Sequence, residues 1–355
     1  MTHPDVIAVR DVVAVQAAAC AQSGSPLYGR ILDGVVADLE AMGISAALLA
    51  DRGDDPVGSA LPLRFLGAVH RLVLEGRAPA LAAFYPSVGG TDAGDPVPAF
   101  LATLRDHRDE LARRLDDGVQ TNEVGRSAVL VGGYATVARR TGLPLRVLEV
   151  GSSAGLNLRW DHYAYVRRDG SVAGVAGSPV RFDGVWAGDA EPSLPDRFEV
   201  AIRRGCDRSP IDPTTDDGRV SLLSFTWPDQ PERIARLEAA IDVARHVPAV
   251  VDAADAADWV QHQLGEPTDG LATVVTHSIV LQYLSPERRR RLRSALDDAG
   301  HRATEAAPLA WLRMEPAGDR AELRLTGWPG GHEEVLATAG YHGRPVWWGD
   351  RGSGG

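Results

Sequence analysis

The sequence predicts an α/β protein, a doubly wound and largely parallel sheet with an N-terminal α-helical domain. Three observations carry this. Apolar residues recur at helical spacing through residues 1–142. After Gly142-Leu143-Pro144, short apolar runs bounded by Pro and Gly alternate with helical segments, which is how strands buried on both faces read. A chain of 355 residues is also longer than one core usually organises. The expected divisions are a helical cap domain over 1–142, a sheet domain over 143–348, and a disordered tail over 349–355.

In the helical half, Ser25-Pro26 opens a segment in which Tyr28, Ile31, Leu32, Val35, Leu39 and Met42 share a face. Leu63, Leu66, Val69 and Val73 mark a second helix. Asp95-Pro96 caps a third, with Leu101, Leu104, Leu111 and Leu115. The last begins near Gln120-Thr121-Asn122-Glu123 and stops at the Gly/Pro signal. In the sheet half, Leu145–Val150, Phe198–Ile202, Ala249–Val251, Leu271–Thr276, Leu309–Met314, Glu322–Leu325 and Pro345–Trp348 read as strands. Val172–Trp186 reads as hairpins. Pro231–Val243 and Pro286–Ala299 read as helices, and Glu333–Thr338 as a short helix.

The net charge is −11, and all 37 basic residues are Arg, for the chain contains no Lys. Schiff-base chemistry and a phosphate-loop lysine are therefore excluded. An acidic chain also argues against nucleic acid as a partner. Cys20 and Cys206 offer neither a disulfide framework nor metal spacing, and His332 and His342 lack ligand spacing, so no metal is expected. No basic leader precedes an apolar stretch, and Arg or Asp interrupts every apolar run. The expectation is a cytoplasmic protein with a small-molecule substrate and no membrane contact; oligomeric state is not legible.

The most informative stretch is Leu148-Glu149-Val150-Gly151-Ser152-Ser153-Ala154-Gly155-Leu156-Asn157. A strand ends in an acidic residue, a Gly/Ser loop follows, and a helix begins. Such a loop lets backbone approach a ligand beyond the carboxyl end of a strand. It resembles the first motif of class I S-adenosylmethionine-dependent methyltransferases. Glu149, Gly151 and Gly155 match that motif, while Ser153 stands where the middle glycine is usual. The resemblance implies a Rossmann-like methyltransferase-type sheet and S-adenosylmethionine as cofactor, held by Glu149, Gly151, Ser153, Gly155 and Asn157. Val200–Pro210 resembles the second-strand motif, with Asp207 on the ribose hydroxyls, which requires an insertion at about 160–197. Ala249–Asp255 resembles the third, with Asp252 and Asp255 near the adenine; helix capping is the alternative for both. Over its whole length the sequence also resembles an uncharacterised bacterial family (domain of unknown function 2332), through Gln120–Arg126, Glu149–Trp160, Trp227–Gln230 and Trp311–Pro316.

Methyl transfer to a hydroxyl or amine needs alignment and a base. His277, at the expected end of the fourth strand, suits proton removal with its unperturbed pKa of about 6.5; a buried histidine hydrogen-bonded at a strand end is the alternative, and Glu123 is a second catalytic candidate. Gln120, Asn122 and Arg126 are expected to form a lid or wall, with Arg126 on an anion; a domain-joining network is the alternative. Trp227, Tyr283 and Glu315 are further substrate candidates. A Glu123–Glu315 pair for glycoside hydrolysis is also conceivable, and the Arg288–Arg291 and Arg293 run reads as a solvated helix face. Two other functions remain open, a nicotinamide-dinucleotide oxidoreductase and a non-enzymatic ligand-binding scaffold.

Overall fold

The structure, a computed structural model, describes residues 3–52 and 60–349; the tail from 350 onward lies outside them. The chain divides into two compact units, Met1–Thr121 with Thr215–Leu237, and Asn122–Thr214 with Glu238–Gly355. In the first unit run α1 (His3–Gln22), α2 (Pro26–Glu40), α3 (Ile44–Leu49), α4 (Leu61–Leu74), α5 (Pro79–Ala82), α6 (Val97–Asp106) and α7 (Arg108–Arg114). Helix α8 (Ser127–Thr141) opens the second unit, while α9 (Asp216–Ser224) and the start of α10 (Pro231–His246) return to the first. Ser25 caps α2 by accepting from the Tyr28 amide, with Pro26 at the first helical position. The apolar stripe of α2 is buried with Phe65, Phe100 and Trp227. Met42 falls beyond the end of α2 and is 52% exposed.

The main sheet of the second unit has eight strands among the described residues. They are β1 (Leu145–Val150), β5 (Val200–Asp207), β6 (Val250–Ala253), β7 (Ala272–Ser278), β8 (Leu309–Ala317), β9 (Arg320–Trp328), β10 (His332–Ala339) and β11 (Val346–Trp348). Between β1 and β5, β2 (Ala164–Val166), β3 (Val172–Gly174) and β4 (Arg181–Phe182) form a separate three-stranded sheet. The main order is β11-β10-β9-β8-β7-β1-β5-β6, parallel from β6 to β8 and antiparallel from β8 to β11. The winding reverses between β1 and β7, and open α/β sheets bind ligands beyond the strand ends at such a point.

Helix α8 lies against one face of the sheet. A Cβ at Gly132 or Gly133 would strike Trp348 or Leu312, so the glycine pair lets the helix settle onto the strands. This contact groups α8 with the sheet, although the change of sequence character falls only after it, at Gly142. On the other face, α11 (Ala256–Gln263) and α12 (Pro286–Arg302) share a core with Leu148, Val150, Val275 and Trp311. Arg288 of the expected solvated run pairs with Asp255, which caps α11, and Arg291 with Asp258 within it.

One expected element is corrected. Glu333–Thr338 is not a helix; it belongs to β10, paired with both β9 and β11. The Pro329-Gly330-Gly331 turn, with Gly330 at φ 111° and Gly331 at φ 68°, folds the chain back onto β9. Hydrogen bonding along both edges outweighs the weak helical preference of six residues.

Candidate functional site

Residues Gly151, Ser153 and Gly155 at the carboxyl end of β1 have φ of 67°, 50° and 65°. Ser153 thus adopts a left-handed backbone, a conformation that favours glycine. Its amide donates to Asp207 Oδ2 at 2.9 Å, and the Ser209 amide donates to Oδ1 at 3.0 Å. Asp207, at the end of β5, therefore holds the loop as well as facing it. Glycine is required at 151 for a second reason, since a Cβ there would lie 2.6 Å from Val280 Cγ2. The chain beyond the loop is a kinked 3-10 stretch, Leu156–His162, rather than the expected α-helix. Arg159, which the sequence reading did not single out, is buried and donates to the Ala154 carbonyl at 3.2 Å, to Gly155 at 2.7 Å and to Val247 at 2.7 Å. An Arg four residues past the last loop glycine, in a chain without Lys, was the available signal.

Beneath the loop sits Glu149, 3% exposed and in register with Gly205 of β5 and Thr276 of β7. Its Oε2 is buried with no hydrogen-bond partner. Burial pushes the carboxyl up to about 8; Arg159 and Arg126 pull it down, and Asp207 adds to the rise. Buried polar atoms are almost always satisfied, so this oxygen calls for an explanation.

The polar segment before α8 is a brace. Asn122 Oδ1 accepts from the Leu156 amide at 3.0 Å, and Glu123 Oε1 accepts from Gly125 at 2.9 Å, capping the turn Val124–Arg126. Asn157 donates to the Glu123 carbonyl at 3.2 Å and accepts from Ser127 Oγ at 2.7 Å. Arg126 donates to the carbonyls of Ser278 (2.8 Å) and Tyr341 (3.2 Å). These contacts give Glu123 and Asn157 structural duties ahead of catalytic or ligand-binding ones. Gln120 belongs to the other unit.

At the end of β7, the geometry corrects the role expected for His277. The ring is 1% exposed, Trp311 Nε1 donates to its Nε2 at 3.0 Å, and its Nδ1 bonds Glu315 Oε1 at 2.6 Å. With Nε2 accepting, the proton lies on Nδ1 and no lone pair remains to take a substrate proton. His277 positions Glu315. The same Oε1 also accepts from the amides of Val280 at 3.0 Å and Leu281 at 3.4 Å. Burial works against ionisation of Glu315, but the bonds from His277 and these amides outweigh it and hold the carboxyl below its usual value. Its Oε2 is buried without a partner. Between them, Ile279 stands at φ 56°, a strained conformation for a β-branched residue, fixed by its bond to the Met314 carbonyl at 2.8 Å.

Other candidates are engaged elsewhere. Asp252 forms a two-pronged pair with Arg204 at 2.6 and 2.8 Å and accepts from Trp259 at 2.7 Å. Asp255 caps α11. Trp227 is buried in the helical core, 6.5 Å from Tyr28, with the Arg233 guanidinium over its ring. Tyr283 is 39% exposed. Among the described residues, no group of three or more His, Cys, Asp or Glu is arranged to hold a metal ion, and no helix is long and apolar enough to cross a membrane.

A family described as an uncharacterized protein conserved in bacteria (DUF2332) matches residues 10–348. The chain belongs to that family. The match takes in the Asn122–Arg126 brace, the loop after β1 and the turn after β7 within one family unit. The chain matches no curated protein and no solved structure.

Proposed function

We propose that this protein is an S-adenosylmethionine-dependent methyltransferase acting on a small polar metabolite. The observation that carries the reading is Glu149, a buried carboxyl group with an unpartnered oxygen under a left-handed loop at the reversal of the sheet. A ligand with an ammonium group supplies what that oxygen lacks, and the amino-acid end of S-adenosylmethionine carries one. Glycine at 151 and 155 lets the loop lie close against Val280 and Val251, where a Cβ would strike them, and so fixes the loop over Glu149. Each Asp207 oxygen accepts one amide and retains a lone pair for a ribose hydroxyl. When bound, the cofactor supplies an electrophilic methyl on a sulfonium; Glu149, Asp207 and the loop backbone would hold it.

The dinucleotide reading is less well supported. A pyrophosphate needs free amides at a helix N-terminus. Here the Gly155 amide donates to the Ser152 carbonyl at 2.6 Å, the Leu156 amide to Asn122, and the following stretch is a kinked 3-10 segment. Titration calorimetry with S-adenosylmethionine, S-adenosylhomocysteine and NAD separates the readings. Binding of the first two and not of NAD is expected. Binding of NAD alone would support an oxidoreductase, and binding of none a scaffold.

A further inference from the structure

Glu315 offers a second unpartnered carboxylate oxygen at the same end of the sheet. Three elements fix it. Oε1 is held by His277 and by the Val280 and Leu281 amides, and His277 is itself held by Trp311. The turn that Glu315 grips carries the strained Ile279, and Val280 of that turn abuts Gly151 of the loop. A carboxylate locked through one oxygen, with the other left over, is built to accept from something outside the chain. Charge decides the partner. Ionised Glu315 has acceptors only, so its natural partner is an N–H or ammonium donor, and a carboxylate or phosphate substrate would be repelled.

Resting on the methyltransferase reading, we propose that Glu315 Oε2 determines the acceptor class: it receives the N–H of an amine substrate and stabilises positive charge on that nitrogen. Trp311 and His277 are positioning residues behind it. The neutral amine is the nucleophile: as its N–C bond formed and the methyl–sulfur bond broke, the sulfonium charge would pass to the nitrogen beside Glu315, and the product ammonium would lose its proton to solvent; the fixed carboxylate favours that developing charge.

The test compares two probes on the full chain by calorimetry. S-adenosylhomocysteine is uncharged where the methyl is carried, whereas sinefungin bears an amine there. In the wild type sinefungin should bind the more tightly, and Glu315→Gln should weaken sinefungin about tenfold while leaving S-adenosylhomocysteine within about twofold. An unchanged ratio of the two affinities in the variant would overturn the role of Glu315 and leave the cofactor reading standing. Failure of the wild type to bind either probe would overturn both. Should the variant fold poorly, a crystal structure of the wild type with sinefungin decides: an amine nitrogen in hydrogen-bond contact with Glu315 Oε2, at about 3 Å, supports the proposal. An amine turned away from that oxygen refutes it.

Discussion

On the antiparallel side of the main sheet, Arg313 is buried, stacks over Trp311 at 4.1 Å, and donates to Thr326 at 3.1 Å and Glu333 at 2.5 Å. Glu333 is shared with Arg324, which also bonds Glu322 at 2.8 Å. On the parallel side, at the carboxyl ends of β1 and β8, Glu149 and Glu315 each leave an oxygen buried and unmatched. Both sides bury ionisable groups within one sheet, yet only the first completes its pairs. A buried polar group lacking a partner costs a few kcal/mol, whereas a completed network roughly offsets its own desolvation. The paired side is therefore built for folding, and the unpaired side tolerates a cost that a ligand can remove.

The largest effect is expected for Glu149→Gln. It should weaken S-adenosylmethionine binding at least about 100-fold, through loss of a charged contact in a buried site. It should also remove a pH dependence of stability. The folded-state value of about 8 lies above the ordinary 4.5, so between these values the folded protein holds a proton that the unfolded chain has released. Stability then falls as pH rises through that window, by up to about 5 kcal/mol, and is lowest above it. Urea midpoints from pH 5 to 8 should decline for the wild type relative to the variant; parallel curves would show that Glu149 is not buried in this way.

A smaller effect is expected on the other side. Glu333→Gln should destabilise the fold by about 1–3 kcal/mol by leaving the Arg313 guanidinium under-paired, with cofactor affinity unchanged. A tenfold loss of affinity would mean that the two sides are not functionally distinct. The smallest effect sharpens the border of the site. Asp255→Ala should cost about 1 kcal/mol through the lost helix cap, read from the thermal midpoint, without altering cofactor affinity. Weakened binding would return Asp255 to the adenine position that the third-strand resemblance implies.

Much of the strand order along the chain was legible, because short apolar runs between Pro and Gly have few alternatives to buried strands. Each strand expected from β5 to β9 appears within a few residues of its place. β10 was not legible, since its six central residues suit either structure and only pairing to β9 and β11 decides between them. The site divides similarly. The glycine loop, Glu149 and Asp207 could be located from local pattern alone. Arg159 and the indole of Trp311 could not, because what they bond lies in backbone or side-chain geometry that pattern does not encode. His277 was located at the right strand end, but its saturation by Trp311 and Glu315 depends on residues 34 and 38 positions away.

By itself, the sequence determined that every cation is Arg, where the left-handed loop lies, and that Ser153 departs from the usual glycine. Those properties are local: residue identity and near-neighbour spacing are enough to specify them. Which carboxylates are paired was decided only by tertiary structure. Asp252 meets Arg204 across adjacent strands, while Glu149 and Glu315 meet no partner for one oxygen each. That difference follows from strand register and burial, which bring together or keep apart residues remote in the chain.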